Sequence, residues 1–268
     1  MLYLFVMDIA GITWKKIQKP NQIAVVSATL PVLYILFTIT NAYNSIGKFV
    51  IAGLIVLVGE LFLWQKLTRK VADFTKKLSI ILPLLMIFVA SVGFGASFSL
   101  AKEKQALERD PGHVASCSIS PIVSCTASVT ASQGSALGVS NPSLGMVAYG
   151  ILLIGGASLL LGLKFVDKWW IAVWSASLFG LSYNAWLIYQ SLYVIGALCL
   201  YCSTIWAVTI ALFTYISIFI VLDKKLINIS DKFKKILVAN HNVPMFILYG
   251  VVILLVYFRW SDYWNSLL

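Results

Sequence analysis

Charge is what this sequence has least of. Among 268 residues, 20 are Lys or Arg and 10 are Asp or Glu, 11% in all, where soluble domains carry about 25%. A water-soluble fold of this size could not cover itself with so few charges. Also missing are a Walker-type phosphate loop, a dinucleotide-binding glycine pattern, any internal repeat and any low-complexity tract, so nothing points to nucleotide chemistry or a solenoid. Hydrophobic residues, by contrast, reach 60% and the mean hydropathy is +0.91. That excludes disorder, because disordered chains are poor in apolar and aromatic residues. The apolar residues come in long unbroken runs and do not alternate, which argues against a transmembrane barrel. The expected class is an all-α, polytopic membrane bundle.

A span needs about 20 mostly apolar residues, and about seven runs meet that criterion. They are Ile23–Thr40, Phe49–Trp64, Leu78–Leu100, Leu144–Leu163, Trp169–Tyr189, Leu198–Leu222 and Val243–Phe258. The second is short and contains Glu60. Met1–Trp14 is apolar but shorter than a span, contains Asp8, and precedes Lys15, Lys16 and Lys19; a signal peptide has its basic residues before the apolar run, so an interfacial stub is expected. The net charge of +10 suggests nucleic acid at first sight, yet its distribution favours a topological role. If the spans alternate, 15 of the 20 basic residues fall on one side, in Lys15–Lys19, Lys66–Lys77, Lys164–Lys168 and Asp223–Lys235. The opposite side holds only Lys48, Lys102, Lys104, Arg109 and Arg259. By the positive-inside rule the basic side is cytoplasmic, the N-terminus is inside and the C-terminus outside. The basic runs then lie near anionic lipid, and no nucleic acid is expected as a partner.

The longest connection, residues 101–143, falls on the outer face. Ala101–Asp110 is helix-compatible; the rest is rich in Ser, Gly and Thr and broken by Pro111, Pro121 and Pro142. All four cysteines sort to this same side. Cys117 and Cys125 lie in the long connection, and Cys199 and Cys202 open the sixth run as Cys-Leu-Tyr-Cys. Residues three apart share a helix face, and a helix N-terminus carries partial positive charge that favours a thiolate, the nucleophile of disulfide exchange. Three readings of the thiols stay open: buried small hydrophobes with a structural staple, a four-thiolate zinc site, and an electron relay. A second C-x-x-C is lacking, which disfavours zinc, and no metal ligand is assigned. Two pairs on one non-cytoplasmic face, one on a loop and one at a helix start, favour relay through mixed disulfides.

On these residues the chain resembles the vitamin K epoxide reductase homologues over about residues 78–260. The order of elements matches: a span, an outer loop with two cysteines eight apart, two spans, then C-x-x-C opening the next. Gly138-Val-Ser-Asn-Pro-Ser-Leu-Gly145 is similar to the family's exit from that loop. The disulfide-bond-formation protein B family has its pairs in the reverse order. The resemblance implies a four-helix redox core within residues 78–268 and an N-terminal extension, 1–77, with two extra transmembrane helices. It implies that Cys117 is the outermost thiol exchanging with a partner, that Cys125 passes electrons to Cys199, and that Cys202 faces and reduces a quinone of menaquinone or ubiquinone type. It also implies that Asn141 hydrogen-bonds a quinone oxygen and that Trp206 takes an aromatic position, often Tyr, against the same ligand. Without the resemblance, Asn141 reads as turn chemistry and Trp206 as bundle packing. A family serine falls on Ala131 or, with a slip of one, Ser132. No thioredoxin-like domain follows the last run, so the partner is expected to be a separate extracytoplasmic thioredoxin-fold protein. The implied activity is thiol:quinone oxidoreduction in a bacterial inner membrane, supporting disulfide formation in exported proteins. The alternatives are quinone or epoxide reduction for its own sake, and a non-enzymatic membrane protein with structural disulfides.

Two further residues carry expectations. Glu60, an acid within a span, is expected to snorkel to the interface or to make a structural hydrogen bond, with a proton-path role as the alternative. His113, four residues before Cys117, is expected to be a solvated loop histidine.

Overall fold

The computed structural model describes residues 22–41, 46–224, 226–227 and 229–265; the expected stub at Met1–Trp14 lies outside them. Every one of the seven apolar runs is carried by a helix. They are α1 (Gln22–Asn41), α2 (Ile46–Thr68), α3 (Phe74–Arg109), α5 (Asn141–Leu160), α6 (Asp167–Tyr189), α7 (Leu200–Phe219) and α9 (Val243–Arg259). Short helices α4 (Cys125–Thr130), α8 (Asp231–Ala239) and α10 (Ser261–Asn265) fill the connections, and α6 and α7 each run on into a π-helical stretch, Gln190–Ile195 and Ile220–Lys224. Among the described residues there is no strand, only an isolated bridge between Val123 and Leu198. Helices α3, α5, α6 and α7 are each long and apolar enough to cross a membrane, and α8 with α9, bent by 61°, makes a fifth such unit. The protein is a helical membrane bundle.

Helix α3 is the axis. Asp73 caps its start through Thr75 N at 3.1 Å, and its 36 residues extend about 54 Å at 1.5 Å per residue. That exceeds a hydrocarbon core of about 30 Å, so the helix carries its polar last turns beyond the apolar layer, and the predicted helical start of the 101–143 connection is simply its continuation. Helices α1, α5 and α7 pack around α3. Lipid tails give no hydrophobic drive for helix association, so close approach at small residues supplies the contact. Gly156 on α5 is such a point: a Cβ there would stand 3.0 Å from the Pro83 carbonyl oxygen and 3.1 Å from Met86 Cβ. Because one of these neighbours is backbone, Gly156→Ala is expected to destabilise the bundle by about 1–3 kcal/mol, read as a lowered Tm in detergent. Higher on the same interface, buried Tyr149 donates to Thr209 Oγ1 at 3.0 Å, and Thr209 donates to the Ile205 carbonyl at 2.8 Å. This links α5 to α7.

Helix α2 packs chiefly on α1. Glu60 does not reach the interface as the snorkelling expectation had it. It is fully buried and accepts from Ser27 Oγ on α1, while Trp64 Nε1 donates to the same Ser27 oxygen at 3.0 Å. A carboxyl two turns inside α2 finds a hydroxyl on the neighbouring helix closer than water, and the hydrogen bond serves as inter-helix glue.

Candidate redox site

The 101–143 segment is built from pieces with assigned bonds. Asp110 ends α3 and accepts from Gly112 N at 2.9 Å. Glu103, on the last turns of α3 and only 3% exposed, accepts from His113 Nε2 at 2.9 Å, Ser116 N at 3.1 Å and Ser116 Oγ at 2.5 Å. His113 is therefore not a solvated loop residue. Its side chain is 25% exposed and turned onto Glu103. Thr126 Oγ1 accepts from Ala115 N at 2.9 Å, and Ser118 Oγ accepts from Thr126 N at 3.1 Å. Ser124 caps α4 through Ala127 N at 3.2 Å. The Ser and Thr residues that mark this stretch as irregular in sequence thus supply its local side chain–backbone bonds. Within the frame Cys117 and Cys125 form a disulfide, with Cα atoms 5.6 Å apart, and neither residue is exposed.

The second pair is set by a tight reversal. After the π-helical turn at Gln190–Ile195, Gly196 takes φ 72°, a left-handed conformation that glycine adopts without Cβ strain. Ser191 Oγ donates to the Ala197 carbonyl at 2.5 Å, and Arg259 Nε from α9 donates to the Leu192 carbonyl at 2.7 Å. Leu198 then pairs with the loop: Leu198 N donates to Ile122 O at 2.7 Å and Ser124 N to Leu198 O at 3.1 Å. Cys199 is the N-cap of α7, its Sγ accepting from Cys202 N at 3.3 Å. An acceptor sulfur at the positive end of a helix suits a group that passes through a thiolate. Cys199 and Cys202 are both free thiols, the first buried and the second partly so.

The bridge has a direct consequence. It places Val123, two residues before Cys125, against Leu198, the residue before Cys199, so two pairs 74 positions apart in the chain (Cys125 to Cys199) meet at one spot. Cys117, Cys125, Cys199 and Tyr201 belong to a single buried cluster with Ala96 and Leu100 of α3, and Cys202 packs on its edge.

Cys202 also faces the other way, into a cavity of about 540 Å³ between α3, α5, α6 and α7. Asn141 and Trp206 line the same cavity. Asn141 is the first residue of α5, following the Ser140 cap. Its Nδ2 donates to Gln133 O at 2.9 Å, and its Oδ1 accepts from Tyr183 OH at 2.8 Å. Turn chemistry and cavity lining therefore coincide in this residue, leaving one Nδ2 hydrogen directed elsewhere. Trp206 is buried and packs with Ile188, Leu192 and Trp260 as well as lining the cavity. The walls are otherwise mostly apolar. Val147, Ile151 and Phe179 line the cavity yet expose 60% or more of their surface on the bundle exterior, where α5 and α6 make little contact with each other. An apolar cavity of this size with a few convergent polar groups and a lipid-facing side suits an amphiphilic ring compound with a long apolar tail.

Some cavity residues give no motif signal in the sequence. Among the described residues Lys104 is the only charged one lining the cavity, and its Nζ donates to Ser135 Oγ at 3.0 Å. Tyr183 stands on α6, 42 residues from Asn141. An aromatic residue in a span gives no signal of such a partner. Ala131 and Ser132, the two candidates for the family serine, do not line the cavity: Ala131 caps α4, and Ser132 is turned to Gln133 Oε1 at 3.3 Å.

The family model described as Vitamin K epoxide reductase family matches residues 84–217, half of the chain, from within α3 to near the end of α7. That stretch contains all four cysteines and every element around the cavity. No curated protein matches the chain.

Proposed function

The chain belongs to the vitamin K epoxide reductase family and is accordingly a membrane oxidoreductase of the class that couples thiols to quinones; from that premise we propose that it oxidises a separate thioredoxin-fold protein and reduces a membrane quinone. The partner's dithiol attacks Cys117–Cys125. The reduced Cys125 thiolate then attacks Cys199 of an oxidised Cys199–Cys202 pair, and Cys117 resolves the Cys125–Cys199 bond. The inner dithiol gives its two electrons to the quinone, with Cys202 next to the ring and Asn141 and Trp206 holding it. Two thiols become one disulfide and one quinone becomes one quinol, so electrons and protons balance. The quinone is of menaquinone or ubiquinone type. On this reading the cysteines lie on the extracytoplasmic side, which the charge partition supports, of a bacterial inner membrane, where the partner inserts disulfides into exported proteins.

One observation carries this reading: the Val123–Leu198 bridge gathers both pairs into one cluster, and Cys202 stands between that cluster and the cavity. A staple needs no neighbouring dithiol and no cavity beside it. The test is to mix purified protein with a reduced thioredoxin-fold donor and a short-chain quinone and to follow quinone absorbance. Turnover that needs both substrates is expected. Equal, negligible rates for wild type and Cys202→Ser would overturn the enzyme reading.

A further inference from the structure

Buried sulfurs pose a proton problem. In the proposed sequence, the Cys125–Cys199 bond breaks as Cys117 attacks Cys125, the Cys117–Cys125 bond forms, and Cys199 departs with the electron pair. The product of that step has an outer disulfide and two inner thiols, which is the state the structure holds. Cys199 is fully buried in it, so a proton must reach that sulfur without bulk water, and it must leave again when Cys199 closes its bond with Cys202.

A series of polar side chains runs inward from the surface as far as Tyr201, which shares one buried cluster with Cys199. His113 is its partly exposed end, donating to Glu103 Oε2 at 2.9 Å. Glu103 Oε1 receives the Ser116 hydroxyl at 2.5 Å. A hydroxyl has one hydrogen, so the Ser116 oxygen remains an acceptor, and the buried Tyr201 phenol lies beside it, close also to Ser99, with Glu103 and Cys199 in electrostatic range. All the hydroxyls can point toward Glu103, the arrangement needed for a carboxylate to draw a proton from the Cys199 side and to return it by reversal. A buried carboxylate is costly and needs compensating bonds, and a purely mechanical anchor for the Cys117 segment would be served by an amide.

We propose that Glu103, relayed through Ser116 and Tyr201 and exchanging with solvent at His113, is the proton donor and acceptor for Cys199. This rests on the electron path proposed above. The phenol passes a proton on by taking one from Ser116 as it gives one to sulfur, so no net charge is left on Tyr201.

The test needs no quinone. Protein with an oxidised inner pair is mixed with a reduced thioredoxin-fold donor, quenched with an alkylating agent, and the appearance of Cys199 and Cys202 thiols is timed in H₂O and D₂O. Glu103→Gln keeps an oxygen acceptor for Ser116 but cannot carry a proton. It is expected to slow the transfer on the order of 10²-fold, the usual size of a lost general acid–base group, with Tyr201→Phe slowed in the same direction and Glu103→Asp partly restored. The wild-type rate should be lower in D₂O. If Glu103→Gln runs within about threefold of wild type while Glu103→Ala is slow, Glu103 is only an anchor and the proposal fails. It fails equally if Tyr201→Phe matches wild type. A folded Glu103→Gln protein is recognised by an intact Cys117–Cys125 bond and unchanged Tm. If wild type itself never passes electrons from donor to inner pair, the electron path is wrong and the relay falls with it; failure of the variants alone leaves the path standing.

Discussion

Cys202→Ser is expected to abolish quinone reduction and to leave the protein caught with Cys125 joined to Cys199. In wild type the mixed disulfide is transient, because Cys117 can attack its Cys125 sulfur and Cys202, at the start of α7, its Cys199 sulfur. Without Cys202, the Cys199 thiolate has no partner on its own helix; it attacks Cys125 of the outer disulfide, which the Val123–Leu198 bridge brings to it, and Cys117 leaves as the thiol. Turnover should fall at least on the order of 10³-fold, since losing a covalent nucleophile from a unit that acts together removes nearly all of its catalysis. Non-reducing mass mapping of the variant should show the Cys125–Cys199 peptide pair. Finding only fixed Cys117–Cys125 and unmodified Cys199 under oxidising and reducing conditions alike would favour a structural disulfide. The complementary variant, Cys117→Ser, should accumulate the same link, because it removes the thiol that resolves it.

The second large effect is expected at Asn141. Its amide joins three elements: α5 by position, the Ser132–Ser135 turn through Gln133, and α6 through Tyr183. Asn141→Leu removes both bonds and the second, uncommitted Nδ2 hydrogen of a cavity-lining amide while roughly keeping volume. At about 1 kcal/mol for each net hydrogen bond, kcat/KM for a short-chain quinone should fall about 10- to 30-fold, while electron transfer from donor to the cysteines stays near wild type. Tyr183→Phe should show a smaller loss, because Asn141 keeps its bond to Gln133. An Asn141→Leu protein with an unchanged quinone KM and kcat would mean that the amide serves only the turn.

Much of this was open to reading along the chain. The helices were legible because span-forming apolarity is a property of about twenty consecutive residues and needs no knowledge of neighbours. The C-x-x-C at Cys199 and the pair at Cys117 and Cys125 were legible for the same reason. What misled was composition taken as environment. The Ser, Thr and Pro content of 101–143 read as an irregular, broken connection, yet it is packed and bonded, with Cys117 and Cys125 buried in it. His113 looked solvated because its partner, Glu103, sits 10 residues back on the last turns of α3. For Glu60 the structural hydrogen bond, one of the two outcomes expected of it, holds, but the sequence could not name its partner, because Ser27 lies 33 residues away.

Taken alone, the sequence determined that this is a helical membrane protein and which thiols stand in pairs, because both follow from local composition and spacing. Only the tertiary structure decided that the two pairs meet, that Cys202 faces a cavity shared with Asn141 and Lys104, and that Glu103 holds His113 and Ser116 beside the cysteine cluster. Those outcomes depend on which residues distant in the chain come within hydrogen-bond reach. The length of α3, the reversal at Gly196 and the bridge at Leu198 set that reach together, and none of them does so alone.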